Sequence, residues 1–305
     1  MLTKIKRIHK YWRLYVFLAL PLLYLLIFKY YPMIGAQIAF RKFRTSGGIW
    51  GSPWVGLANF EKFFSSYQFS RVFVNTLKLA VYQVVANFPF PIIFALLLNV
   101  VRNERWKKSV QTVVYMPYFI SVIVLVSMIN QMFNANVGLY NTVYKYLSGG
   151  GLPPELLGSA TAFPHLYVWS GVWQTTGWNS VIYIAALSTV DPELHEAGQV
   201  DGMNRFQRML HIDLPCIVPT ITILLILNVG RSMNIGFEKI YLMQNDMNLS
   251  ASEVISTYTY KVGLNVAGSN FSYATAIGLF NSVINLALIT SVNFICRKIG
   301  DTSLW

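Results

Sequence analysis

Six stretches of this chain, near residues 14–31, 74–99, 110–133, 164–189, 216–237 and 272–296, are predominantly apolar over 18 residues or more. Nothing else in the sequence restricts the fold so strongly. About 20 apolar residues in a helix match the ~30 Å hydrocarbon core of a bilayer. Hydrocarbon offers no water to an open N–H or C=O, so each stretch must close its hydrogen bonds internally as a helix. The expectation is an all-α membrane protein with six transmembrane helices in a single domain, 1–305. Charged residues make up only 12% of the chain, against about 25% in soluble domains, which disfavours a water-soluble enzyme. Cys216 and Cys296, each at the edge of an apolar run, give no disulfide framework and no metal-ligand spacing. They read as small buried hydrophobes.

The basic residues orient the spans. Lys4, Lys6, Arg7, Lys10 and Arg13 precede the first, Arg102, Arg105, Lys107 and Lys108 follow the second, and Arg297 and Lys298 follow the last. Six crossings put these groups on one side, and the positive-inside bias makes that side, with both termini, cytoplasmic. Arg41, Lys42, Arg44, Lys62 and Arg71 in the first outer stretch run against the bias. The outer stretches are then 32–73, 134–163 and 238–271. A net charge of +12, set among aromatic and apolar spans, fits a membrane surface and not nucleic acid. The first span follows a basic stretch as a signal peptide would, yet no small-residue cleavage site follows it. Lys29-Tyr30-Tyr31-Pro32 reads as its interfacial end.

The loop 190–215 is the most informative extramembrane piece. Asp191 suits a helix cap and Pro192 the first helical position. Glu196, Ala197 and Gly198 set two small residues beside an acid, which lets another protein's surface come close to the helix backbone. Gly202 allows the chain to turn. Beyond it, Phe206, Met209 and Leu210 at helical spacing, with Arg205 and Arg208 between them, predict an amphipathic piece lying along the membrane surface or against neighbouring helix ends.

Glu196-Ala197-Gly198, then Asp201-Gly202, then Ile212-Asp213-Leu214-Pro215 resemble the EAA loop of binding-protein-dependent ABC importer permeases. Gly198 stands where a second Ala is usual, and Asp213 where a neutral residue is commoner. Several other segments are similar to permeases of the polysaccharide/aldouronate type. They are Phe28–Pro32, Gly48–Leu57, Asn75-Thr76-Leu77, Tyr115–Ser121, Gly236–Ile240 and Ser303-Leu304-Trp305. The resemblance implies a type I importer fold and oligosaccharide uptake across a bacterial cell membrane. It implies a second homologous permease subunit, two ABC ATPase subunits that bind ATP and Mg, and an extracellular substrate-binding lipoprotein. It also implies that Glu196, Ala197, Gly198, Asp201 and Gly202 couple the chain to the ATPase.

No P-loop is present: Lys108-Ser109 lacks the required upstream glycine, so no cofactor and no ATP hydrolysis are expected in this chain. His9, His165, His195 and His211 show no metal-like spacing, and the last two read as surface groups. The spans lack central carboxylates, which disfavours a secondary carrier. A polytopic enzyme acting on lipid-linked sugars, the other alternative, would need an acid, base or metal constellation that the sequence does not offer. Two polar clusters are candidates for a substrate path. One is Trp173, Gln174 and Asn179 in the fourth span, where aromatic faces beside amides suit sugar rings. The other is Asn228 and Arg231 in the fifth, three residues apart and so on one helix face. Ordinary helix packing explains the first cluster as readily, and an arginine snorkelling to the interface the second.

Overall fold

A computed structural model describes residues 11–233, 236–264 and 269–299. The basic cluster before Tyr11 and the terminal Ser303-Leu304-Trp305 lie outside these. The described residues are helical, with two isolated β-bridges, Arg41 to Trp54 and Arg44 to Gly48. Among the described residues four helices are long and apolar enough to cross a membrane: α1 (Trp12–Phe40), α3 and α4 taken together (Tyr67–Asn87 and Pro89–Val100), α10 (Arg205–Arg231) and α14 (Phe271–Ile299). The bent pair α5 (Glu104–Tyr115) and α6 (Val122–Met132) makes a fifth candidate. The shorter α2 (Ala58–Phe64) and α7 (Leu139–Leu147) lie between these spans. α8 (Phe163–Leu187), at 25 residues, is about 37 Å long at 1.5 Å per residue. Its Gln, Thr, Asn and Trp residues lower its mean hydropathy.

Several helix ends differ from the expected span edges. The first helix does not stop at 31. A π-turn, Leu26–Tyr30, carries the helix past Pro32, which has no N–H to give to the preceding turn, and the helix continues to Phe40. The third span, expected as one helix over 110–133, is broken at Pro117–Ser121 and bent by 96°. Pro117 ends the regular ladder, and the Ser121 hydroxyl caps a new helix by accepting from the Val124 N–H at 3.3 Å. The fifth helix runs from Arg205 to Arg231. The amphipathic piece forms its first turns, and Met209 packs against the cluster of Ala95, Leu96, Tyr183, Leu187 and Ile217, so of the two placements expected for it the one against neighbouring helix ends is found. The cysteines are also more open than expected, Cys216 exposed and Cys296 half-buried. In a membrane chain apolar side chains face lipid as well as core.

The chain divides into two compact units. The first, up to Ser66 with 259–280, is centred on fully buried Phe63, which meets Tyr273 and Phe280 edge to face at 6.2 and 5.5 Å. In the second, 67–258 with the chain beyond 280, α8 is the central post and packs along α3, α4 and α10. Ala95, Leu96, Tyr183, Leu187 and Ile217 form the buried cluster that binds α4, α8 and α10 together. Gly177 lets α8 touch the backbone of α5: a Cβ there would sit 2.2 Å from the Val114 carbonyl oxygen.

The motif Asn75-Thr76-Leu77 finds its explanation in this second unit. Asn75 Nδ2 donates to the carbonyls of Ser250 and Glu253 at 2.8 and 3.0 Å, and Thr76 Oγ1 accepts from the Ile255 N–H at 2.9 Å. Arg71 pairs with the buried Glu253 carboxylate. One turn and a half of α3 thus supplies the partners for an irregular segment that could not satisfy its own backbone. The segment comprises α12 (Leu249–Ser252) and the start of α13 (Ile255–Gly263), and it follows α11 (Phe237–Met243).

Candidate functional site

The loop 190–215 folds from local signals. Asp191 accepts from the Glu193 N–H at 2.9 Å and starts α9 (Pro192–Val200) with Pro192 in its first turn. At the other end the Gly202 N–H donates to the Gln199 carbonyl at 3.1 Å and the Met203 N–H to the Gly198 carbonyl at 2.9 Å. These are the two bonds of a Schellman cap, and Gly202 takes the left-handed φ, +79°, that the cap requires. Asn204 and Gln207 then form a capping box that opens α10.

The five residues singled out here divide by exposure. Glu196, Ala197, Asp201 and Gly202 are exposed, whereas Gly198 is buried. A Cβ on Gly198 would lie 3.1 Å from Ile212 Cδ1 and 3.4 Å from both Arg208 Cγ and Met203 Sδ. The small residue therefore admits the first turns of α10, and the face open to another protein is that of Glu196 and Ala197. His195 departs from the expected surface group. Its Nε2 lies 3.1 Å from Oδ1 of Asp213, a carboxylate that is almost fully buried, and Arg208 Nη1 donates to the His195 carbonyl at 3.3 Å. These contacts fasten α9 to α10. The one sequence sign of them was the acid at position 213; the pairing of residues 18 apart was not legible.

The path candidates separate in space. Asn179, Asn228 and Arg231 line one cavity of about 270 Å³, together with Asn87 and Tyr183. Asn87 sits where α3 passes into α4. There Pro89 and Pro91, lacking N–H groups, leave the carbonyls one turn earlier without helical donors. Thr175 Oγ1 donates to Asn87 Oδ1 at 3.1 Å. The cavity thus gathers three amides and one guanidinium, and no carboxylate among the described residues lines it. Trp173 and Gln174 are elsewhere. Gln174 Nε2 donates to the Ile120 carbonyl at 2.9 Å, which supplies a donor for the backbone opened at the α5–α6 break. Trp173 borders an apolar groove between α6 and α8 with Trp169, Met128 and Met132. Trp178 stacks on Tyr118 at 4.7 Å.

Lys239, in the segment Gly236–Ile240, is buried among apolar neighbours. Its Nζ donates to the Tyr167 carbonyl at 2.9 Å and lies 4.9 Å from that residue's ring. Burial still lowers its pKa from 10.5 to about 8.

Known proteins resemble the chain along almost its full length. It is 42% identical to protein LplB of Bacillus subtilis, over 96% of this chain and 91% of that one. It is 38% identical to the polygalacturonan/rhamnogalacturonan transport system permease YteP of the same organism, over 96% and 90%. Among solved structures, a chain of a bacterial alginate ABC transporter, crystallised with an alginate pentasaccharide-bound periplasmic protein, superposes with a TM-score of 0.89. Its identity is 35%, with 98% and 99% of the two chains covered. The family model for the binding-protein-dependent transport system inner membrane component matches residues 87–301, and the chain belongs to that family.

Proposed function

We propose that this chain, a permease subunit of an ABC transporter in a bacterial membrane with ATP hydrolysis in a separate subunit, carries an oligosaccharide bearing carboxylates. The oligosaccharide is imported by a complex of this chain, a second homologous permease, two ABC ATPases and an extracellular binding lipoprotein. The observation that carries this reading is the cavity of Asn87, Asn179, Asn228 and Arg231, which offers amides for hydroxyls and one cation with no acid lining the cavity to neutralise it. Arg231 would hold a uronate carboxylate by charge-assisted hydrogen bonds. At about 270 Å³ the space falls just below the roughly 300–1,000 Å³ of pockets that enclose a whole ligand. A passage that grips about one ring at a time releases it readily.

Six spans, with α5–α6 as a bent third and α8 as the fourth, and both termini cytoplasmic, complete the reading. The ATPase would seat the exposed face of α9, Glu196 and Ala197. Because α9 is pinned to α10 through Gly198 and the His195–Asp213 contact, and α10 to α8 through Ile217 and Leu187, closure of the ATPases would tilt α8 and α10 as one body. In the assembled complex, Arg231→Ala is expected to lower uptake of an acidic oligosaccharide at least tenfold per complex, with basal ATP hydrolysis unchanged. Normal uptake per complex removes Arg231 from the path. Cysteines placed at Ser148 and Ser250 should label from outside and one at Ser303 from inside; external labelling at 303 refutes the six-span topology.

A further inference from the structure

A second polar recess lies where α4 ends, beside α9 and the first turns of α10. It measures about 360 Å³ and is lined by Arg102, Arg205 and Arg208 with the amides of Asn99 and Gln199. Its one carboxylate, Asp213, is buried; its Oδ1 lies 3.1 Å from His195 Nε2 and accepts no hydrogen bond from the described residues. Three guanidiniums against one carboxylate leave the recess net positive. Arg208 spends Nη1 on the His195 carbonyl, and its buried Nε has no acceptor. No ion pair to Arg102 or Arg205 is formed among the described residues. Like charges gathered this way repel one another while the recess is empty, and a buried donor without an acceptor is costly.

The level of the recess narrows the ligand. Val100 closes one apolar membrane helix and Arg205 opens another, so the recess stands at the edge of the hydrocarbon, where phosphates of anionic headgroups lie. Guanidinium forks pair bidentately with phosphate, and one phosphate has oxygens enough for more than one fork.

We propose that this recess binds a phosphate group, that of an anionic phospholipid or of free phosphate, between α4 and the base of α10. The inference rests on the membrane placement of these helix ends and not on which solute is carried. Purified wild-type complex and the double variant Arg102→Gln/Arg205→Gln are compared by native mass spectrometry after incubation with phosphatidylglycerol or phosphatidylcholine. Their melting temperatures are compared in inorganic phosphate and in chloride at matched ionic strength. Loss of bound phosphatidylglycerol in the variant, with phosphatidylcholine unaffected, assigns the site to lipid. A phosphate-specific rise in melting temperature that only the wild type shows assigns it to the free anion. If neither readout distinguishes variant from wild type, the proposal is overturned. It is equally overturned if both are unchanged and the variant instead sheds the ATPase, since the recess is then a protein contact. Should the double variant not assemble, the same comparison is made on each single variant.

Discussion

Replacing Gly202 separates the two ways in which the loop between α9 and α10 could fail. The residue has φ +79°, and a Cβ there would meet nothing within 4 Å. Alanine therefore brings no clash inside the chain; it brings only the strain of a left-handed backbone, about 1–2 kcal/mol. At roughly 1.4 kcal/mol per factor of ten, the capped turn would lose about tenfold in population against a relaxed one. Since the Met203 and Gly202 N–H bonds to Gly198 and Gln199 fix how α9 meets α10, relaxation of the cap displaces α9 as a whole. Asparagine tolerates the left-handed region and should cost much less. Tryptophan adds bulk to the same strain, on a face exposed in this chain. Substrate-stimulated ATP hydrolysis and uptake are measured in reconstituted complexes. The expected order is wild type, then Asn close behind, then Ala several-fold lower, with Trp lowest if the ATPase covers this turn. Equal damage by Asn and Ala would refute the backbone argument. An Ala variant that works like wild type would refute it as well. A Trp variant no worse than Ala would mean that the ATPase does not cover Gly202.

Gly177→Ala drives a Cβ to 2.2 Å from the Val114 carbonyl oxygen, and a backbone atom cannot swing aside. A loss of about 1–3 kcal/mol is expected, read as earlier thermal unfolding of the complex, while Gly35→Ala, with nothing within 4 Å, should be neutral. Lys239 gives a pH dependence. Its folded pKa of about 8 lies below the ordinary 10.5, so between these values the unfolded chain binds the extra proton and stability rises with pH. The gain is on the order of 3 kcal/mol across the window, and none is expected from this group below about pH 8, where both states are charged. Lys239→Met should flatten the rise in unfolding temperature between pH 8 and 10; an unchanged slope would assign it to another group.

Hydropathy and capping act over a few residues, and what depends on them was legible in the chain itself. The apolar runs demanded helices, Asp191 and Pro192 started α9, and Gly202 ended it. The EAA-like spacing pointed to the family that the relatives bear out. Where the sequence misled, a competing local signal was hidden by a strong average. Pro117 and Ser121 break an otherwise apolar stretch, and the Asn204 capping box opens a helix that runs unbroken through 205–231.

Other features were beyond any local reading. Asn75 with the segment 250–255, and Asn87 with Asn179 and Arg231, meet because α8 holds several helices at once, and His195 meets Asp213 because the capped turn folds α9 back onto α10. Periodicity placed Asn228 and Arg231 on one face of α10 but says nothing of what that face meets. Gln174 had the same polar signature as Asn179, five residues away on the same helix. Tertiary packing turned one toward an open carbonyl and the other toward a cavity. A side chain's chemistry is written in the sequence, whereas its partner depends on which helix lies opposite, and that is set by close packing over the whole unit.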